Sequence, residues 1–290
     1  MEVKILKNGV ELPIVGLGTH GIPNDQLPGV FDMAYRIGYR KFDTAWLYQN
    51  EELIGNAIKK FDIPRQDLFL TTKLHIDDLF FRGYHRSIPN LRIKSVKKAL
   101  EQSCKRLGTD YIDLYLIHWP FPHYEMMWEE LVKLYEAGRV KAIGVCSFLP
   151  EHMDELLQHS DYIPHVNQYE MTPINTLVPQ TLFYQGRGIH TEAYSLFGTT
   201  KRNEVASQTI LGNDIVRGIA EEHGKTPSQV ILRWATQRGF SVIPRSKSEL
   251  HLTENLDIFN FELSSQEMDL IGSMNQDKYS RGNPNMNYYG

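Results

Sequence analysis

The feature that most restricts the fold of this sequence is a regular alternation of short apolar runs with segments of helical periodicity. The runs are rich in residue types that favour β-strands. They predict eight strands, at Ile14–Gly18, Lys41–Thr44, Leu68–Lys73, Tyr111–His118, Val140–Cys146, Pro164–Gln168, Ile189–Ser195 and Phe240–Pro244. Strands that alternate with helices form parallel sheets. Because no linker-like tract interrupts the pattern, we assign residues 1–290 to one α/β domain, a (β/α)8 TIM barrel.

The two ends of the chain add smaller segments to this barrel. Residues 3–13 alternate apolar and polar side chains around Asn8-Gly9, a pair that readily adopts the positive φ angles of a hairpin turn. This pattern predicts an N-terminal β-hairpin. Residues 276–290 are interpreted as a C-terminal tail.

Helices between the strands are marked by spacing and by capping residues. Apolar side chains recur at steps of three and four along one predicted helical face: Ile93, Val96, Leu100, Cys104 and Leu107. Capping signals predict helix starts at Asn50, at Thr172-Pro173, at Thr226-Pro227 and at the capping box Ser264–Glu267.

Composition argues against several classes of partner. The 290 residues include 31 basic and 35 acidic side chains, so the formal net charge of −4 leaves no basic surface for nucleic acid or an anionic membrane. No apolar run approaches the ~18 residues of a membrane-spanning helix, and the first residues lack the layout of a signal peptide. We expect a cytoplasmic protein that binds neither nucleic acid nor membrane.

The spacing of cysteines and histidines gives no sign of a disulfide or a metal site. Cys104 and Cys146 form no Cys-x-x-Cys pair, and the eleven histidines include no His-Glu-x-x-His arrangement. We therefore expect neither a structural disulfide nor a bound metal ion.

One glycine-rich motif supports a different fold. Residues 16–21 match G-x-G-x-x-G after a strand-like run, which is the pattern of a Rossmann dinucleotide site. That site needs a helix that opens at the third glycine and receives the pyrophosphate. Here Pro23 and Pro28 follow Gly21 closely, and the residue before a proline disfavours helix. The context therefore favours the barrel over a Rossmann domain.

Four ionisable residues lie at or just beyond the carboxyl ends of consecutive predicted strands. They are Asp43, Tyr48, Lys73 and His118. Singly, each has a structural explanation: a capping carboxylate, a rim aromatic, a solvated strand end or a core imidazole. In a parallel barrel, however, these ends converge on the face that carries active sites. Together they are candidate catalytic residues.

The same region resembles a known family. Residues 38–45, continuing through Tyr48 to Glu51 and Gly55, resemble the first signature of the aldo-keto reductases. Further matching segments follow in family order: Thr72-Lys73, Ile117–Pro120, Lys141–Val145, Asn167-Gln168 and Ile243–Ser246. The resemblance implies a (β/α)8 barrel that acts as a monomer, reduces a small-molecule carbonyl substrate and binds NADPH, with NADH possible, in an extended pose.

The resemblance also implies a catalytic tetrad of Asp43, Tyr48, Lys73 and His118. When hydride reaches a carbonyl carbon, negative charge develops on oxygen and needs a proton donor. Tyr48 would donate that proton, because a lysine ammonium within ~4–6 Å can lower the phenol pKa from ~10 by ~1–3 units. Asp43 would hold Lys73, and His118 would orient the substrate oxygen.

The resemblance assigns further residues to the cofactor and the substrate. The expected cofactor-binding residues are Thr19, Asp43, Ser147, Gln168, Tyr194, Ser195, Leu196, Gly198, Arg245, Ser246, His251 and Asn255. Tyr194 would stack on the nicotinamide, and Gln168 would hold its carboxamide. Lys201 and Arg202 could contact phosphate, although an exposed basic pair is usually solvated. The expected substrate residues are His20, Trp46, Tyr48, His118 and Trp119, with the long connection 74–92 as a candidate pocket wall.

Three positions depart from the family pattern. Cys146-Ser147-Phe148 replaces the usual Ser-Asn-Phe, so an asparagine that helps to hold the carboxamide is missing. His251 stands where an arginine is usual, and His20 where a larger aromatic residue commonly borders the substrate. These changes affect cofactor binding and the substrate rather than the fold.

The leading hypothesis is an NAD(P)H-dependent reductase of aldehydes or ketones. A non-catalytic regulatory subunit that retains cofactor binding is an alternative, although it would not need Tyr48 and Lys73 together. Alcohol oxidation as the physiological direction uses the same residues.

Overall fold

The computed structural model describes residues 2–75, 96–198 and 210–280. The strands in these ranges are β1 Val3–Ile5, β2 Glu11–Pro13, β3 Gly16–Gly18, β4 Lys41–Asp43, β5 Phe69–Leu74, β6 Ile112–Ile117, β7 Val140–Cys146, β8 Val166–Glu170, β9 His190–Tyr194 and β10 Ser241–Val242. The α-helices are α1 Leu27–Ile37, α2 Glu51–Lys60, α3 Val96–Leu107, α4 Tyr124–Glu136, α5 Pro150–His159, α6 Val178–Gly186, α7 Asp214–His223, α8 Pro227–Gln237, α9 Glu249–Leu256 and α10 Ser265–Gly272. No helix among the described residues is long and apolar enough to cross a bilayer.

The strands form the predicted barrel. Strands β3 to β10 pair in chain order as one parallel sheet. A parallel bridge between Val15 and Val242 joins its two edges, supported by a 2.7 Å bond from the Val242 amide to the Ile14 carbonyl. Each of the eight predicted strands overlaps an observed one, so the (β/α)8 prediction is confirmed.

The N-terminal hairpin is also confirmed, and it closes one end of the barrel. Strands β1 and β2 pair antiparallel, with Lys4 opposite Leu12. The hairpin's Leu6 and Leu12 pack inside the barrel in a cluster with Phe69 and Leu114. Because this cluster fills the end at which the strands begin, the carboxyl ends of the strands are left for the site.

The glycine motif is used for packing within the barrel. A Cβ atom at Gly16 would lie 2.5 Å from Cε of Lys41, and one at Gly18 would lie 2.8 Å from the Ile243 carbonyl oxygen. The third glycine, Gly21, has a φ of +73°, which favours glycine. Helix α1 begins only at Leu27, so no helix opens at the motif, as the sequence context predicts.

Two of the predicted helix caps are confirmed. The hydroxyl of Thr226 accepts a bond from the Gln229 amide at the start of α8. Ser264 and Glu267 form the reciprocal capping box that opens α10. Each bond pairs a backbone amide that has no partner inside its helix.

The helix start predicted at Thr172-Pro173 is wrong. Thr172 and Asn175 exchange backbone hydrogen bonds of 3.2 and 3.0 Å across a tight turn. Helix α6 begins at Val178, and Pro179 is the proline in its first turn. Thr-Pro marks a turn as readily as a helix start, because both place proline at a φ near −65°.

Asn50 occupies the predicted N-cap position of α2, but its side chain does not cap the helix. Its Oδ1 instead accepts a 2.5 Å bond from the Thr44 hydroxyl, and its Nδ2 donates to the Thr19 hydroxyl. Asn50 therefore ties the end of β4 to the end of β3, next to the candidate site.

Candidate active site

An ion pair is buried at the carboxyl ends of β4 and β5. The Lys73 Nζ atom lies 2.5 Å from Oδ1 of Asp43 and donates a 2.9 Å bond to the Thr44 carbonyl. Both side chains are excluded from solvent. Burial lowers the pKa of Lys73, but Asp43, together with Tyr48 and Cys146, raises it by more, so the pKa lies above its ordinary value and Lys73 carries a charge.

Tyr48 lies next to this ammonium group. It ends a 3₁₀ turn, Trp46–Tyr48, that follows β4. The Lys73 Nζ atom is 5.3 Å from the centre of the Tyr48 ring. The ring of His118, just beyond β6, stands 5.7 Å from the Tyr48 ring at 78°. The structure therefore brings Asp43, Tyr48, Lys73 and His118 together at the ends of three strands.

An aromatic wall surrounds Tyr48. The His20 ring packs edge-on against Tyr48 at 4.7 Å, and the Trp119 ring lies 6.4 Å from that of His118. Trp46 stacks at 5.6 Å on His75, which belongs to the predicted wall 74–92 but was not singled out in it. His75 is buried and its ring lies 6.0 Å from that of His118.

The position of His75 could have been inferred from the strand period. Residues two apart on a strand point to the same face, so a residue two beyond Lys73 follows it towards the barrel interior. The candidate wall 74–92 lies almost entirely outside the described residues, as do Lys201 and Arg202.

Two residues with positive φ directly follow strands β7 and β9. Ser147 has φ +60° and Ser195 has φ +56°, a conformation that non-glycine residues seldom adopt. The Ser147 hydroxyl lies 3.0 Å from the hydroxyl of Tyr194, and Tyr194 is half-buried at the end of β9. The serine at the usual asparagine position therefore contacts the predicted stacking aromatic.

Other predicted cofactor residues lie around the barrel rim. Arg245 is exposed, and its Nη1 donates to the His20 carbonyl at 3.2 Å. The Ser246 hydroxyl accepts a bond from the Ser248 amide, and His251 is exposed in the first turn of α9. These side chains form a basic and hydroxylic surface at the start of α9.

Several residues predicted to bind the cofactor are buried or form hydrogen bonds within the protein. The Thr19 hydroxyl is buried and donates a 2.9 Å bond to the Asp43 carbonyl. Asn255 is buried in helix α9, and the Tyr39 hydroxyl donates a 3.1 Å bond to the carbonyl of Leu252 in the same helix. Leu196 is buried, and Gly198 has φ +79° in the segment after β9.

Below the ion pair lies a buried polar network that the sequence analysis did not identify. The Gln168 Nε2 atom donates to Asp43 Oδ2 at 2.8 Å and to Glu192 Oε1 at 2.9 Å. The other Glu192 oxygen accepts bonds from the Lys41 ammonium and, at 2.6 Å, from Ser241. Although burial raises the pKa of Glu192, Lys41 and these hydrogen bonds lower it to about 2.

The cysteines form no disulfide: both are buried free thiols. Burial raises the pKa of Cys146 to about 12, so it is a thiol that donates weakly to Oε1 of Gln168 at 3.7 Å. Among the described residues, no group of three or more histidine, cysteine or acidic side chains could hold a metal ion.

The sequence of this chain is similar to those of known enzymes. The model of the Aldo/keto reductase family matches residues 15–276. The glyoxal reductase of Bacillus subtilis (strain 168) is 40% identical over 281 residues, which are 96% of this chain and 95% of the relative. Methylglyoxal reductase DkgA of Escherichia coli (strain K12) is 34% identical over 94% of this chain and 93% of its own.

Solved structures are also similar to this chain over nearly its whole length. A Gox0644 mutant crystallised in complex with NADPH is 35% identical and superposes with a TM-score of 0.85 over 98% of each chain. A Bombyx mori aldo-keto reductase in complex with NADP is 31% identical, with a TM-score of 0.83 over 96% of this chain and 94% of that one.

Proposed function

The chain belongs to the aldo/keto reductase family, and from this premise we propose that it reduces aldehydes or ketones to alcohols with NADPH, with Tyr48 as the proton donor. The observation that carries the proposal is the position of Lys73, a fully buried ammonium group held by Asp43 and 5.3 Å from the Tyr48 ring. A cation at this distance stabilises the phenolate that forms when the proton leaves.

The residues at the strand ends suit a nicotinamide cofactor. Tyr194 offers a half-buried ring whose hydroxyl is held by Ser147, and Arg245 and Ser246 offer an exposed guanidinium and a hydroxyl for a phosphate. Gln168 offers an amide of fixed orientation for the carboxamide. Bound NADPH supplies the hydride that reaches the carbonyl carbon.

The chain's own residues orient and protonate the oxygen of that carbonyl. Tyr48 transfers its hydroxyl proton to the oxygen, so the carbonyl becomes an alcohol and Tyr48 a phenolate. Lys73 stabilises this phenolate, and Asp43 keeps Lys73 in place. His118, 5.7 Å from the Tyr48 ring between centroids, orients the oxygen. A positioned proton donor of this kind contributes typically ~10²–10⁴ in rate.

We further propose that the substrates are small carbonyl compounds such as glyoxal and methylglyoxal. Two relatives are named for these compounds and are 40% and 34% identical to the chain. The imidazole rings of His20 and His118 pack against Tyr48, and that of His75 lies 6.0 Å from His118. These three rings provide polar groups suited to short oxygenated molecules.

The direct test is an assay of the purified protein against a panel of aldehydes, dicarbonyls and ketones with NADPH and with NADH. We expect oxidation of NADPH by at least one small aldehyde, with a higher kcat/KM than the matching alcohol shows with NADP. If NADPH binds but no carbonyl compound oxidises it, the chain is a cofactor-binding regulatory protein and the proposal is wrong. If only the alcohols react, oxidation is the working direction.

A further inference from the structure

The barrel interior contains a second lysine–carboxylate pair that has no role in the proposed chemistry. Lys41 on β4 and Glu192 on β9 are fully buried and bonded to each other. Removing two charges from water is costly, and well-packed apolar residues often stabilise a core as well as such a pair does. The presence of both charges beside the candidate site therefore needs an explanation.

The contacts of Gln168 supply an explanation for this buried pair. Its two Nε2 hydrogens are directed to two different carboxylates, Asp43 at 2.8 Å and Glu192 at 2.9 Å. An amide nitrogen has two donors, so both are used. Turning the amide over would place its oxygen against both carboxylates. Its orientation is therefore fixed, and Oε1 faces the thiol of Cys146.

Glu192 is itself held in one position. Its second oxygen accepts bonds from Lys41 and Ser241, and Ser241 lies 3.0 Å from Nε2 of His190. The Lys41 side chain reaches Glu192 by crossing Gly16, where a Cβ atom would meet it. The pair is therefore supported by strands β3, β4, β9 and β10.

Resting on the proposed function, we propose that Glu192 is a positioning residue for the reduction, supported by Lys41. Glu192 orients the Gln168 amide, and this amide holds Asp43 against Lys73. Gln168 would also hold the nicotinamide carboxamide when NADPH is bound. Lys41 acts one step further away by keeping Glu192 charged and in place.

Two double variants separate this role from simple packing. Lys41→Met/Glu192→Gln and Lys41→Met/Glu192→Leu both remove the two charges, but only the first leaves an acceptor oxygen for Gln168. We expect the first to keep the NADPH Kd and the kcat within about threefold of wild type. We expect the second to weaken NADPH binding and lower kcat by at least about tenfold, the effect of losing a hydrogen bond of this type.

The same comparison in a Gln168→Leu background tests whether the effect passes through Gln168. There the two double variants should have equal NADPH affinity and kcat. Equal behaviour in the presence of Gln168, or a difference that persists without it, would overturn the proposal. As a control, Arg187→Met/Asp154→Leu removes a solvent-exposed pair of 3.2 Å and should change neither quantity.

Two measurements keep the test decisive. The first is the NADPH Kd, which titration gives without any catalytic activity. If the wild type binds NADPH but reduces no carbonyl compound, the proposed function is wrong, but the Kd values of the variants still test the role of Glu192 through Gln168. If the leucine variant does not fold, nuclear magnetic resonance of the wild-type Gln168 side-chain amide replaces it. Slow exchange of both amide hydrogens is expected, and fast exchange of either contradicts the proposal.

Discussion

A Cβ atom at Gly16 would lie 2.5 Å from Cε of Lys41 and 3.0 Å from its Cγ. The Lys41 side chain thus occupies the space that any other residue at position 16 would need. The first glycine of a motif that resembles a dinucleotide fingerprint serves here to let a buried lysine cross the barrel to Glu192.

Gly16→Ala should therefore destabilise the protein by about 1–3 kcal/mol, since the buried lysine has little room to move. Calorimetric or denaturant unfolding measures the change. The matched control is Gly218→Ala in α7, where a Cβ would meet nothing within 4 Å. That change should be neutral or stabilise by up to about 1 kcal/mol. Equal stabilities for the two variants would show that Lys41 does not fill this space.

His190 should make stability depend on pH. Burial lowers its pKa from 6.5 to about 4, although the Glu192 carboxylate opposes this. In the unfolded chain the imidazole gains its proton near pH 6.5, whereas in the folded protein it stays neutral until about pH 4. Between about pH 4 and pH 6.5 the unfolded state therefore binds more protons than the folded state. The contribution of His190 to stability is complete above pH 6.5 and is lost as the pH falls towards 4.

The contribution of His190 to this loss is about 2 kcal/mol between pH 7.5 and pH 5. Urea unfolding at the two pH values measures it. His190→Gln should reduce the decline by that amount, whereas His159→Gln, at an exposed position, should leave it unchanged. An unaltered decline in the His190 variant would show that this imidazole is not held neutral.

His251→Arg should tighten NADPH binding by about tenfold or more with little change for NADH, because it adds a second cation near Arg245 and Ser246. His251 is exposed in the first turn of α9, so the substitution needs no repacking. Titration of both proteins with both cofactors measures the effect. An equal change for NADPH and NADH would show that residue 251 does not face the phosphate.

The barrel and the proximity of Asp43, Tyr48, Lys73 and His118 could be predicted because each depends on local signals. Strand runs, the hairpin at Asn8-Gly9 and the caps at Thr226 and Ser264 are set by neighbouring residues. Once the strands are placed, parallel topology alone brings Asp43 and Lys73 to one edge.

The buried network could not be predicted in this way. Lys41 and Glu192 are 151 residues apart, in strands of three and five residues whose composition does not indicate a partner for either charge. Their pairing depends on the closure and register of the barrel, which no local pattern encodes. The helix start predicted at Thr172 is wrong for a different reason. The Thr-Pro pair is a local signal that is compatible with both a turn and a helix start.

The central claim is that Tyr48 is the proton donor, and Tyr48→Phe tests it most directly. The substitution removes the hydroxyl and keeps the ring that packs against His20 and His118. Turnover of a small aldehyde should fall at least ~10²-fold while the NADPH Kd, measured by titration of the same protein, changes little. Turnover equal to that of the wild type would contradict the account.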